Sequence, residues 1–228
     1  MLDILSVLFL GFILGIRHSF DSDHLVAVAN LVSKTKSLRK SVLQGLLWGL
    51  GHTTTLLIVG IFVLVFSLTI SKNMQLLFEL IVGSMIIILG ISTLIELRRG
   101  KIHLHSHKYG KSKHTHFHSY IDEQFHEHPH SKSVLYRPLA VGVIHGLAGS
   151  SALMILILST INSLYLGILY IAFFGIGSII SMSGISALIS LPLLFSEKIY
   201  QNLNKGIRIF SAIGGIAFGV YYITSLFI

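Results

Sequence analysis

The sequence predicts an all-α, polytopic membrane protein with six transmembrane helices, built as two inverted three-helix repeats. Three observations point there. The first is composition: 53% of the 228 residues are hydrophobic and 11% are charged, where soluble domains carry roughly 25% charged residues. The mean hydropathy is +0.79. The second is the distribution of charge. No Asp, Glu, Lys or Arg lies between Ser41 and Ser71, between Pro138 and Ser196 or between Ile209 and Ile228, and a spanning helix needs roughly 20 apolar residues. The third is the placement of Lys and Arg, which concentrates in alternate connections. Too few polar groups exist to cover a soluble globule. A soluble enzyme, a nucleic-acid binder and a disordered chain are therefore excluded.

Six apolar segments follow in order, at 3–32, 42–69, 74–97, 137–160, 164–194 and 207–228. The first carries Arg17-His18-Ser19-Phe20-Asp21-Ser22-Asp23-His24 near its middle, so it is one broken helix or two short pieces. The fifth is expected to end at Pro192, because proline cannot donate to the helix ladder. Fifteen of the 17 basic residues lie in 34–40, 98–137 and 198–208, with Lys72 alone on the opposite side and Arg17 inside the first segment. The positive-inside rule puts those connections in the cytoplasm and both termini outside, in a multi-pass protein of the cell membrane. The domains are then 1–97, a first three-helix repeat; 98–136, a His-rich cytoplasmic loop expected to be disordered; and 137–228, a second repeat. The N-terminus does not read as a cleavable signal, since it lacks a basic stretch and carries Asp3.

Two internal matches support the repeat. Gly15-Ile16-Arg17-His18 resembles Gly142-Val143-Ile144-His145, and Trp48-Gly49-Leu50-Gly51-His52 resembles Phe174-Gly175-Ile176-Gly177-Ser178. Each occupies the equivalent span of its half. Halves with three crossings must be inverted relative to each other, a plan that places a site at the repeat interface near the midplane.

The chemistry lies in a few polar residues of the spans. His18, His24, His52 and His145 fall in or near them, with Asp21, Asp23 and Arg17. A central Asp or Arg costs about 2.5–3.5 kcal/mol on insertion scales, so these groups face the bundle interior or a wet cavity. An Arg17–Asp21 pair one turn apart would neutralise itself but would leave Asp23 and the histidines unexplained. Imidazole with carboxylate suits a divalent transition metal, whereas carboxylates alone suit calcium or magnesium. The chain has no cysteine, which removes thiolate sites and disulfides.

On an unbroken helix His18, Asp21 and His24 share one face and Asp23 points elsewhere; unwinding would let all four ligate. His52 is flanked by Gly49, Gly51 and Thr53, small residues that admit a neighbouring helix. His145 is either a ligand or an interhelical hydrogen bonder. The expected metal residues are His18, Asp21, Asp23, His24, His52 and His145. With Arg17, Asp21 and Asp23 ionised, the empty site carries one net negative charge, which a divalent ion reverses.

The other nine histidines alternate with other residues in 103–130, as in His103, His105 and His107 or His114, His116 and His118. They are expected to form a flexible, loosely binding metal buffer.

Arg17 to His24 resembles the signature of the nickel/cobalt transporter (NiCoT) family, a His, four residues, then Asp-His. Asn30 fits the Asn that follows it in the family, although Ala29 stands where an Asp is common. Leu50-Gly51-His52-Thr53-Thr54 is similar to the family's LGHST. Arg137-Pro138 through His145-Gly146-Leu147-Ala148-Gly149-Ser150-Ser151 is similar to its shorter UreH-like branch, linked to urease maturation and nickel supply. The resemblance implies a permease for Ni²⁺ or Co²⁺, with the ion as transported substrate and no cofactor. It implies that His18, Asp23 and His24 bind and select the ion, with His52 as their partner. Membrane lipids and urease or hydrogenase maturation proteins are the implied partners.

Two rival classes are a non-transporting sensor or metallochaperone for urease or hydrogenase assembly, and a membrane metallo-enzyme. The second lacks support, because no His-Glu-x-x-His motif occurs; nor does a Walker loop.

The charge bias makes a direct prediction. A single cysteine introduced by Ser112→Cys should react only with reagents that reach the cytoplasm. Labelling of intact cells by an impermeant maleimide would reverse the topology.

Overall fold

Lipid offers the backbone no hydrogen-bond partners, so an apolar segment must close its own bonds as a helix. The computed structural model describes residues 4–33, 35, 37–66, 68, 70–99, 103–109, 112–118, 136–149, 161, 163–199 and 201–228. Its helices are α1 (Ile4–His18), α2 (Ser22–Val32), α3 (Leu38–Phe66), α4 (Lys72–Arg99), α5 (136–149), α6 (Leu164–Ile199) and α7 (Gln201–Ser225). The membrane body is helical, as expected. Among the described residues, α3, α4, α6 and α7 are each long and apolar enough to cross a bilayer. The pair α1 and α2, bent by 59°, makes a fifth candidate. The fourth apolar segment is described only as α5; residues 150–160 lie outside the described part.

Two expectations are corrected. Helix α6 runs on through Pro192 to Ile199. Membrane helices tolerate proline within their length; beyond it, Asn204 Nδ2 donates to the Leu193 carbonyl at 2.8 Å. Helix α7 begins at Gln201, six residues before the last apolar segment, because its polar first turns continue the same helix. Within 98–136 the described residues include two strands. Strand β1 (His103–Tyr109) pairs antiparallel with β2 (Ser112–His118), His105 opposite His116 and His107 opposite His114. Alternation is a strand's own period. Residues 119–135, with His126, His128 and His130, lie outside the described part.

Helix α3 packs chiefly on α6, α4 on α7, and α1 on α6, while α2 reaches α7, α6 and α4. Large apolar side chains such as Phe62, Phe66, Phe195 and Phe210 remain exposed, as expected of surface that meets lipid rather than water.

Glycines set the helix spacing, and they do so reciprocally between the halves. A Cβ at Gly15 would strike the Phe174 carbonyl, and one at Gly142 the Trp48 carbonyl. A Cβ at Gly177 would strike the Phe12 carbonyl, and one at Gly51 the Leu139 carbonyl. Gly175 abuts Thr53, and Gly49 abuts Ile179. Helices α4 and α7 repeat the pattern, with Gly90 against the Ala212 carbonyl at 2.7 Å and Gly219 against the Gly83 carbonyl at 2.9 Å, measured from the added Cβ. Such contacts let backbones approach closely where the hydrophobic effect gives helices no reason to associate.

Overpacking a close contact costs typically 1–3 kcal/mol or more. Gly15→Val and Gly142→Val should each lower the Tm in detergent by several degrees or abolish the monodisperse peak. Gly184→Ala, with open space around the added carbon, should run like the parent in the same size-exclusion and melting assays.

Candidate metal centre

The first segment stops being one helix after His18. Ser19 and Phe20 form a turn, with Phe20 N–H donating to the Arg17 carbonyl at 3.0 Å and Asp21 N–H to the His18 carbonyl at 3.0 Å. Asp21 then takes an extended backbone as the N-cap of α2, and Leu25 N–H donates to its carbonyl at 3.1 Å. An N-cap Asp ordinarily accepts from the amides of the new helix. Asp21 makes no side-chain cap; its Oδ2 instead accepts from His18 Nδ1 at 2.8 Å. The α2 N-terminus is an electropositive end, and Asp21 and Asp23 offset it.

Asp23 lies in the first turn of α2 and bridges two imidazoles. His24 Nδ1 donates to Asp23 Oδ1 at 3.3 Å, and His145 Nε2, from α5, donates to Asp23 Oδ2 at 2.6 Å. His52 projects from the middle of α3 into the same space. The ring centroids of His18 and His24 are 4.6 Å apart, those of His18 and His52 5.4 Å, and those of His24 and His52 5.4 Å. His24 and His145 are 4.2 Å apart. The break thus brings Asp23 and His24 of α2 together with His18 of α1, His52 of α3 and His145 of α5.

Several nitrogens of these rings are buried without a hydrogen-bond partner among the described residues. His24 and His52 are 0% exposed and His145 is 1% exposed. Among the described residues, His18 Nε2, His24 Nε2, His145 Nδ1 and both nitrogens of His52 have no hydrogen bond. A carboxylate only accepts, so in a neutral ring the nitrogen facing Asp21 or Asp23 carries the proton and the other presents a lone pair. Unsatisfied buried groups cost about 1–3 kcal/mol each, and native structures hold few of them. Their possible ligand atoms gather in two groups: those of His18, His24 and His52 lie within 4.8 Å of one another, as do those of Asp23, His24 and His145. A metal-binding His commonly donates its other nitrogen to a carboxylate that fixes its tautomer. Asp21 on His18 and Asp23 on His24 have that arrangement.

Asp21 does not join either ligand group; its side chain is 54% exposed and it orients His18. No ion pair joins Arg17 to Asp21 among the described residues, and Arg17 is exposed. Three neighbours of the cluster are not among the residues expected from sequence. The Trp48 ring stacks on His24 at 5.8 Å, Phe174 lies 5.4 Å from His18, and Gly149 faces the cluster. A Cβ at Gly149 would sit 3.2 Å from His18 Nε2 and 3.3 Å from His52 Cε1. For Trp48 a signal exists: it is the chain's one tryptophan and lies in an internal repeat.

Residues 4–150 match the family described as "High-affinity nickel-transport protein", NicO. The chain belongs to this family. It is also 37% identical over 225 residues to a urease accessory protein UreH of Bacillus sp. (strain TB-90), covering 98% of this chain and 93% of that one. A high-affinity nickel transport protein of Cupriavidus necator is 31% identical over 84 residues, 36% of this chain and 23% of that one. No solved structure matches. The NicO family is a transporter family, so this multi-pass chain is a metal transporter and not an enzyme, and nickel is its cargo rather than a cofactor.

Gly149 supplies a test that leaves every histidine in place. Gly149→Ala puts a methyl group against His18 and His52 and should weaken Ni²⁺ binding by about tenfold, as loss of a supporting contact does. Calorimetry on purified protein with a parent-like Tm would show it.

Proposed function

We propose that the chain moves Ni²⁺ across the cell membrane through the cluster of His18, Asp23, His24, His52 and His145. Its mechanism is ligand substitution. The hydrated ion exchanges water for imidazole nitrogens that are already desolvated and gathered in one cluster, so little reorganisation is needed. Asp21 and Asp23 hold the rings and supply the negative charge that a buried dication requires. The observation that carries this reading is the set of buried, unpartnered imidazole nitrogens.

Six spans in two inverted repeats fit the same reading. The reciprocal glycine–carbonyl contacts support it: Gly15 on Phe174 is answered by Gly142 on Trp48, and Gly177 on Phe12 by Gly51 on Leu139. Those pairs are the ones that the internal sequence matches superimpose. A site between such repeats opens to each side in turn as the halves rock. The basic connections then face the cytoplasm, both termini lie outside, and the histidines of 103–130 buffer the ion on the cytoplasmic side. The likeness to a urease accessory protein supports delivery of the ion to urease maturation.

Radioactive nickel flux into proteoliposomes tests the site. Asp23→Ala and His24→Ala should each reduce the initial rate by about 10- to 100-fold, the range for loss of a metal-site group. A parent-like rate in either correctly inserted variant would remove the cluster from the pathway.

A further inference from the structure

The polar cluster contains two ligand triads, not one. His18, His24 and His52 form the first, and Asp23, His24 and His145 the second. The five residues do not close into a single group. The His24 and His145 ring centroids are 4.2 Å apart, but those of His52 and His145 are 6.3 Å apart. His24, fully buried, belongs to both triads.

The triads are also counterparts. His18 and His145 end the matching sequences Gly15-Ile16-Arg17-His18 and Gly142-Val143-Ile144-His145. Each sits beside the aromatic residue of the opposite half: Phe174 lies 5.4 Å from His18, and Trp48 lies 5.6 Å from His145. Phe174 and Trp48 are themselves equivalent in the second internal match. Their cores differ accordingly, Phe174 belonging to the cluster with Leu56 and Tyr170, and Trp48 to the one with Val28 and Met182. Exposure breaks the symmetry. The His18 side chain is 22% exposed and that of His145 1%.

We propose that the centre holds two overlapping ion positions, and that the ion passes between them by exchanging His18 and His52 for Asp23 and His145 about a fixed His24. This rests on the metal-centre reading above. In the step, the metal–nitrogen bonds to His18 and His52 break while bonds to Asp23 and His145 form. The ion keeps three protein donors and its oxidation state. It takes the place of the His145–Asp23 hydrogen bond, and the displaced ring proton settles on His145 Nδ1, which has no partner among the described residues. The first position is built from neutral rings and opens past His18. The second adds a carboxylate, so a dication gains electrostatic energy by moving inward. Its terminal ligand, His145, occupies the place in the second repeat that His18 occupies in the first. Rocking of the halves would then exchange which of the two is exposed.

The test separates binding from passage, using Co²⁺ alone as the probe on full-length protein in lipid nanodiscs and liposomes. Histidines of 103–130 are common to every variant and cancel in difference spectra. His52→Ala should remove the first position, abolish its part of the Co²⁺ visible spectrum and raise KM by about tenfold or more. His145→Ala should keep that spectrum and the apparent Kd within about threefold, yet lower kcat by about tenfold or more, because an interaction met only later on the path is lost. His145→Gln, which can still donate to Asp23, should behave as His145→Ala and guards against a folding defect. Parallel losses of Co²⁺ affinity and equal rises in KM for the position 52 and 145 variants would show one shared site and overturn the relay. His24→Ala should lose both binding and flux; if it keeps both, the metal-centre reading fails rather than the relay alone.

Discussion

A helix in lipid can be interrupted only where protein groups or the water of a cavity receive its freed backbone groups, and the turn between His18 and Ser22 meets that constraint while bringing the candidate site together. Its amides are taken up within the turn, by the carbonyls of Arg17 and His18. Buried Ser19 donates through Oγ to the Gly15 carbonyl at 3.1 Å. The turn also redirects the chain by 59°, so Asp23 meets His145 instead of pointing away from His18 and His24 as on an unbroken helix. Asp21 forgoes the cap that its position invites, a contribution of about 1 kcal/mol in ordinary helices, and orients His18 instead. Local stability is given up at the residue that organises the first ligand.

The interruption would not produce a metal centre without close helix approach. Imidazoles from α1, α2, α3 and α5 can converge only if those helices lie nearer than ordinary side chains permit. Gly15 lets α1 touch α6, and Gly142 and Gly146 let α5 touch α3. Thr55 adds a hydrogen bond from Oγ1 to the Val143 carbonyl at 3.1 Å. The glycines that shape the frame therefore flank the histidines in sequence: Gly15 is three residues before His18, Gly51 directly before His52, and Gly142 and Gly146 on either side of His145. Frame and site are built from the same stretches of chain.

Much of this is legible in the amino-acid sequence alone. Charge-free stretches announce the helices because lipid tolerates few charges, and each ionisable residue left inside them must be there for a reason. That logic finds His18, Asp23, His24, His52 and His145. It fails where the answer depends on three-dimensional contacts. Sequence spacing puts Asp21 on the ligand face, but the turn commits its carboxylate to His18. Nothing local marks Gly149, whose part lies in having no side chain beside two rings from other helices. Pro192 reads as a stop because its missing N–H is visible in the sequence, yet a helix in the membrane continues past it. Alternating histidines suggest a loose chain, although their two-residue period is equally that of β1 and β2.

A transport site differs from a storage site in what it must avoid. Four rings and a carboxylate closing on one point would hold a divalent transition metal tightly and release it slowly. The cluster is divided instead, with Asp23 hydrogen-bonded to His24 and His145. Each triad offers three donors, fewer than the closed four-coordinate shell of a structural metal site, and leaves room for water or an incoming ligand. Shared use of His24 prevents two ions from occupying both positions with full ligation. In the proposed relay, occupancy of one position competes with occupancy of the other, and the ion stays bound through its passage without being trapped at any stage.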